Sequence, residues 1–150
     1  MPLADIRTSA GTTLKVSATA PATYNAAGFG ALTFTEVSYV SDLGEFGGED
    51  NLVTFNPLST RTTVKRKGSR NAGSISAEMA RAKGDAGQNL IQAAAGSDLS
   101  YSFLVTIQDG TKFYFSAQTM SFVTSVGSVD DITMVSAQLE LDNEVIVVAV

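Results

Sequence analysis

Apolar and polar residues alternate along most of this chain. In the stretches 12–18, 73–79, 101–107 and 131–142, apolar residues recur at every second position. Successive side chains of a β-strand point to opposite faces, so this alternation predicts strands with one buried and one solvated face. Half-buried strands of this kind are typical of antiparallel sheets.

One segment has a helical spacing of apolar residues instead. Asp85 is a favourable residue to begin a helix and Gly96 a favourable residue to end one. The sequence therefore predicts a helix at about 86–95. A helix of this length is marginally stable alone, so we expect it to pack on the sheet.

Turn signals divide the second half of the chain. The dipeptide Asp109-Gly110 lies between two strand-like runs and predicts a hairpin. Beyond it, the apolar positions change parity between Phe115 and Phe122, which predicts a bulge near Gln118. A further turn is predicted at Gly127-Ser128.

These elements predict a mainly β fold. We expect an antiparallel β-sandwich or β-barrel-like core with one flanking α-helix. The Pro-, Gly- and Ala-containing stretch 21–31 and the acidic, Gly-rich stretch 42–51 are expected to be irregular. Residues 42–73 are predicted to form a long charged hairpin loop. The chain of 150 residues is expected to form a single domain.

The composition offers little catalytic chemistry. The chain has no His and no Cys, and its formal net charge is −5. The usual general base, thiol nucleophile and soft metal ligands are therefore missing, and we expect neither enzymatic activity nor a cofactor. The acidic loop could in principle wrap Ca²⁺, but its spacing does not match an EF-hand, and a solvated loop is the commoner case. No metal site is predicted.

The chain also has no stretch that predicts a membrane segment. The start of the sequence lacks the apolar run of a signal peptide, and the run 145–150 is too short to span a bilayer. We expect a soluble protein made in the cytoplasm.

Charge is concentrated in the predicted hairpin loop. Half of the ten basic residues lie between Arg61 and Arg70, although the chain is acidic overall. This run could bind phosphate, form a solvated hairpin edge, or meet the acidic part of the loop in another copy. The candidate residues for such an interface are Asp42, Glu45, Glu49, Asp50, Arg61, Lys65, Arg66, Lys67 and Arg70.

The order of these elements resembles that of the major tail tube protein of long-tailed, non-contractile bacteriophages. The resemblance covers nearly the whole chain and is carried by the helix GDAGQNLIQAAAG (84–96) and by GSVDDITMVSAQLELD (127–142). It implies a virion protein made in the host cytoplasm. Six copies would form a ring, and stacked rings would form a hollow tube through which DNA passes without specific binding. The resemblance also implies contacts with tail terminator, tape measure and distal tail proteins.

The resemblance gives roles to several segments. Residues 1–11 would form an N-terminal arm, 42–73 an assembly loop, and 143–150 a C-terminal strand or arm. Carboxylates on the polar faces of predicted strands are candidates for the lumen or for ordinary outer surface. These are Glu36, Glu78, Glu140 and Asp142.

Other functions stay open at this stage. A related possibility is the inner tube of a contractile tail or secretion system, or a protein like the tail terminator. A different class is a monomeric β-barrel that carries a small ligand, which would need an apolar cavity.

Overall fold

The structure is a computed structural model, and it describes residues 6–149. Its mainly β architecture confirms the predicted fold class. The elements are β1 Thr13–Ser17, α1 Ala26–Gly30, β2 Thr35–Val37, β3 Val40–Asp42, β4 Glu49–Phe55, β5 Val64–Asn71, β6 Ser74–Ala80, α2 Ala86–Ala95, β7 Tyr101–Thr106, β8 Lys112–Ser125, β9 Met134–Leu141 and β10 Ile146–Val148. Neither helix is long and apolar enough to cross a membrane, within these described residues.

Eight strands form one antiparallel sheet with the order β2-β1-β7-β8-β9-β6-β3, and β10 pairs with β8. The two strands at the ends of this order, β2 and β3, are separated by only Ser38 and Tyr39 in the chain. The sheet must therefore roll until its two ends approach each other. The Ala80 N–H donates to the Tyr39 carbonyl at 3.0 Å, and Tyr39 has φ 62°, which is uncommon for a residue other than glycine.

The inner face of the rolled sheet contains the main core. Alternate residues of β1, β6, β7, β8 and β9 point inward and are buried, as the alternation predicted. The Phe103 and Phe115 rings stack there with centroids 5.4 Å apart. Ile91 of α2 is fully buried in the same cluster, so the predicted helix packs on the sheet as expected.

Helix α2 packs against β1, β2 and β8, and its first turn makes hydrogen bonds to neighbouring segments of the sheet. The Gln88 side chain is fully buried and donates from Nε2 to the carbonyls of Ser38 at 3.0 Å and Ala80 at 2.8 Å. Its Oε1 accepts from the Ala82 N–H at 3.0 Å. Asp85, the predicted first cap of the helix, accepts from the Gln88 N–H and the Ser38 N–H. One turn of helix is thus bonded both to the segment between β2 and β3 and to the chain at the end of β6.

A second, smaller cluster lies on the outer face of β7 and β8. Phe29 of α1 is fully buried there against Leu104 and Tyr114. The prediction that 21–31 is irregular was therefore wrong over the turn of helix α1. The Asn25 side chain caps this turn by accepting from the Gly28 N–H at 2.7 Å, and burial of the Phe29 ring stabilises it.

Strand β8 has the predicted bulge. Its first half pairs with β7 and its second half with β9, and the register with β9 shifts between Thr119 and Ser121. Met120 is the extra residue, so the change of parity seen in the sequence is confirmed. The predicted hairpin turn at Asp109-Gly110 is also present, with Gly110 at φ 93°.

The two ends of the chain differ in secondary structure over the described residues. Of the predicted N-terminal arm, residues 1–5 lie outside the described residues, and 6–12 contain no helix or strand. Near the other end, β10 pairs with β8 through Ile146 opposite Tyr114.

Candidate assembly surfaces

The charged loop contains a two-stranded hairpin that is separate from the main sheet. Strands β4 and β5 pair only with each other, with Val53 opposite Arg66 and Phe55 opposite Val64. The register shifts between Asp50 and Leu52, so the hairpin has a bulge near its base. An isolated two-stranded hairpin is marginally stable in water.

Ion pairs fix the base of this hairpin within its own chain. The Asp50 carboxylate lies 3.5 Å from Lys67 Nζ and 3.2 Å from an Arg70 guanidinium nitrogen. Arg70 Nε also lies 2.8 Å from the Glu144 carboxylate. The Glu144 carbonyl in turn accepts from the Tyr24 hydroxyl at 2.6 Å. Asp50 is therefore already occupied by basic residues of its own chain.

The outer part of the hairpin is differently charged from its base. No acidic residue occurs between 51 and 70. Among the described residues, Arg61, Lys65 and Arg66 form no salt bridge, whereas Lys67 and Arg70 do. The hairpin therefore presents three cations that have no carboxylate partner in the described part of the chain.

The acidic candidates of the loop are dispersed. Asp42 accepts from the Gly44 N–H at 2.7 Å and is the last residue of β3, while Glu49 begins β4 opposite Asn71. Glu45 lies in the connection between these strands and is exposed. No group of three or more metal-ligating side chains is found within residues 6–149.

The hairpin also carries exposed apolar side chains, which the charge pattern of the sequence did not predict. Leu52, Val53, Phe55 and Leu58 are exposed by 65%, 53%, 66% and 106% of their reference areas. Their signal was the run NLVTFNPL, which alternates poorly and lies between charged stretches. The hairpin thus combines unpaired cations with unburied apolar surface.

Two of the four lumen candidates lie on one open face of the main sheet. Glu78 of β6 and Glu140 of β9 both point away from the core, because their neighbours Ala77, Met79 and Leu139 are buried inside. The other outward residues of β6, β9 and the second half of β8 are small, polar or apolar, and none is basic. They are Ser74, Ser76, Ala80, Met134, Ser136, Gln138, Gln118, Ser121, Val123 and Ser125. We call this surface the polar face.

The other two lumen candidates lie elsewhere. Glu36 of β2 is paired with Lys15 of β1 at one end of the strand order. It lies in the part of the sheet whose outer face is packed against α1. Asp142 follows β9, and its carboxylate accepts from the Ser100 hydroxyl. The structure therefore brings Glu78 and Glu140 onto a common face without Glu36 or Asp142.

The interior leaves little room for a carried ligand. Stacked Phe103 and Phe115, with Phe46 closing on Phe115 at 6.5 Å, fill the roll. The grooves on the described residues are open to solvent, such as the one between Phe46, Arg70, Phe113 and Glu144. These observations do not favour the carrier hypothesis.

Comparison with known proteins gives similarity in structure only. No model of a protein family matches the sequence, and no curated protein matches it. Among solved structures, a chain from the tail of an empty gene transfer agent particle, refined with C6 symmetry, matches with a TM-score of 0.70 and 13% identity. The match covers 96% of this chain and 100% of that chain.

Two further structures agree with this result. A chain of the SPP1 tail tube matches with a TM-score of 0.63 and 16% identity, over 93% of this chain and 77% of that one. A chain of the sheath/tube terminator of a PVC extracellular contractile injection system matches with a TM-score of 0.68 and 11% identity, over 99% and 96%. The chain therefore has a fold found in tails and contractile injection systems. The resemblance to tail tube proteins is confirmed at the level of the fold.

Proposed function

We propose that this protein is a structural virion subunit that forms stacked hexameric rings, and that these rings make the hollow tube of a phage tail. The observation that carries the proposal is the whole-length match to a chain of a C6-symmetric gene transfer agent tail. The match to the SPP1 tail tube supports it. In this proposal the protein is made in the host cytoplasm, has no catalytic role, and meets tail terminator, tape measure and distal tail proteins in the virion.

The polar face is our candidate for the wall of the channel. It carries Glu78 and Glu140 and no basic residue, so it offers DNA phosphates no cation to exchange for their counterions. Its many Ser and Gln side chains are neutral. A channel lined in this way would let DNA move without holding it.

The charged hairpin is our candidate for a contact between subunits. Its cations Arg61, Lys65 and Arg66 have no carboxylate partner in the described residues, and its apolar side chains are unburied. Both features become favourable when a second copy covers them, because burial removes apolar surface from water and charge pairing aligns the partners.

Negative-stain electron microscopy of the purified protein, over a range of concentration and salt, tests the assembly. We expect hollow tubes or six-fold rings. Charge reversal by Lys65→Glu with Arg66→Glu should abolish them, whereas reversal of the exposed Lys83 and Lys112 outside the hairpin should not. Normal tubes from the hairpin variant would contradict the role of these two residues. A protein that stays monomeric at every concentration would favour the carrier instead.

A second variant tests the channel wall. Glu78→Lys with Glu140→Lys should leave tubes intact but make them retain DNA in a salt-dependent manner, because the wall then offers cations to phosphates. Glu36→Lys is the matched control, since Glu36 lies outside the polar face. If the control tubes retain DNA and the double variant does not, a different surface lines the channel.

The similarity to the contractile injection system supports a second candidate, the inner tube of a contractile machine. An inner tube must bind a surrounding sheath on its outer surface, and a non-contractile tail tube has no sheath. Co-expression with the proteins of neighbouring genes, followed by electron microscopy, distinguishes the two by the presence of a sheath.

A further inference from the structure

A second exposed apolar surface lies at the end of the long β8–β9 pair that is farther from the base of the hairpin. It is formed by the loop that follows β8, residues 126–132, and we call it the distal ribbon. Three large apolar side chains there are exposed by 65% to 100% of their reference areas. These are Val126, Val129 and Ile132.

The distal ribbon is acidic where the hairpin is basic. It contains Asp130 and Asp131, and the chain has no Lys or Arg after Lys112. The Asp131 carboxylate accepts from the Ser128 N–H at 2.8 Å and the Ser128 hydroxyl at 3.0 Å. These bonds lower the pKa of Asp131 below its ordinary value, so this carboxylate is charged at neutral pH.

We propose that the tip of the hairpin of one subunit, residues 52–66, docks on the distal ribbon of a neighbouring subunit. Val53 and Phe55 would cover the apolar side chains of the ribbon, and Arg66 would meet Asp130, because the Asp131 carboxylate already accepts from Ser128. This inference rests on the proposed tube function and names the surface that receives the hairpin.

Three observations favour this partner over the acidic stretch 42–50. In that stretch, Asp50 already forms ion pairs with Lys67 and Arg70 of its own chain. Its remaining carboxylates are not accompanied by a comparable cluster of exposed large apolar residues. The distal ribbon supplies both apolar surface and negative charge, which are the two features that the hairpin tip leaves unmatched.

The geometry of the contact also suits a repeating assembly. Hairpin and ribbon are different surfaces of one chain, so the contact is heterologous. Every copy carries one hairpin that can dock and one ribbon that can receive the hairpin of another copy. Such contacts close into rings or continue into filaments, as the proposed function requires. A contact between two identical hairpins would end at a dimer.

Cross-linking tests the pairing directly, because the natural chain has no Cys. Phe55→Cys and Val129→Cys variants are prepared separately, mixed before assembly, and treated with a short bismaleimide. We expect covalent dimers from the mixture in which mass spectrometry finds residue 55 joined to residue 129, and little product from either variant alone. Leu58→Cys replaces Phe55→Cys if loss of the aromatic ring prevents assembly.

Two control mixtures define the result. Phe55→Cys is also mixed with Leu99→Cys, which is exposed elsewhere, and with Glu45→Cys in the acidic stretch. If tubes form but residue 55 joins residue 45, joins residue 99 equally well, or joins neither, the docking surface is wrong and the tube function stands. If no assembly and no cross-link form at any concentration, both proposals are overturned.

A charge exchange provides an independent readout. Arg66→Asp and Asp130→Arg should each abolish tube formation, and the chain with both changes should form tubes again. Rescue by the combination would not occur if these residues contacted different partners. Failure of the rescue, with both single variants folded, would therefore overturn the pairing.

Discussion

Replacing Gln88 by Met should remove much of the stability of the unassembled subunit. Met has similar length but can replace neither the two hydrogen bonds that Gln88 donates nor the one that it accepts. The change strands the carbonyls of Ser38 and Ala80 and the N–H of Ala82 next to a fully buried side chain. These groups come from the segment between β2 and β3 and from the chain at the end of β6.

The magnitude follows from the number of stranded groups. A buried polar group that loses its partner costs about 1–3 kcal/mol, so three groups cost at least about 3 kcal/mol. For a chain of this size, 1 kcal/mol corresponds to a change in Tm of about 2–4 °C, which gives a fall of about 6–12 °C.

Circular dichroism during thermal and urea unfolding of the monomer measures the effect. Gln92→Met is the matched control, because Gln92 lies one turn further along the same helix, is exposed, and makes one long hydrogen bond, accepting from Arg81 at 3.5 Å. The control should unfold within about 1 kcal/mol of the natural chain, as exposed substitutions usually do. Equal stability of the two variants would refute the view that Gln88 joins the segment after β2 to the end of β6.

Three further results are expected. Gly87→Ala should lower the free energy of unfolding by about 1–3 kcal/mol in urea titrations, because its Cβ would lie 2.4 Å from the Glu36 carbonyl oxygen in the backbone of β2. Burial alone would raise the pKa of Asp85, but hydrogen bonds from Gln88 and Ser38 outweigh it and lower the pKa. The stability that this carboxylate contributes is thus present above its unfolded pKa and is lost as pH falls through its folded pKa, so unfolding measured between about pH 5 and pH 2 should show a fall that Asp85→Asn reduces. Glu144→Gln should speed amide exchange in the hairpin without a comparable change in Tm, because its pair with Arg70 is largely exposed.

Local signals in the sequence were sufficient for several elements. The bounds of α2 follow from Asp85 and Gly96, and the bulge at Met120 follows from a change of parity. The short helix α1 was not predicted, because five residues that include two glycines give no periodic pattern. Its stability comes from burial of Phe29 against strands distant in sequence, which no local pattern reports.

The sequence predicted which charged residues form the candidate site, but not which of them pair with one another. The run from Arg61 to Arg70 is evident in the sequence, yet its division into paired and unpaired cations depends on the register of β4 and β5. The polar face likewise depends on which strands pair. Glu78 and Glu140 are far apart in the chain and share a face only because β6 lies beside β9.

The projecting hairpin has a consequence for proteolysis. Trypsin cleaves after Lys and Arg, and five of its ten sites in this chain lie between residues 61 and 70. A cut there separates β1–β4 from β6–β10, yet the two fragments stay interleaved in one sheet, because β1 pairs with β7 and β3 with β6. A nicked subunit should therefore keep its shape and lose the pairing of β4 with β5, because all five sites lie in β5 or just before it. In a mixture of unassembled and assembled subunits, the fraction that trypsin leaves uncut would therefore measure the fraction of subunits whose hairpin is covered by a neighbour.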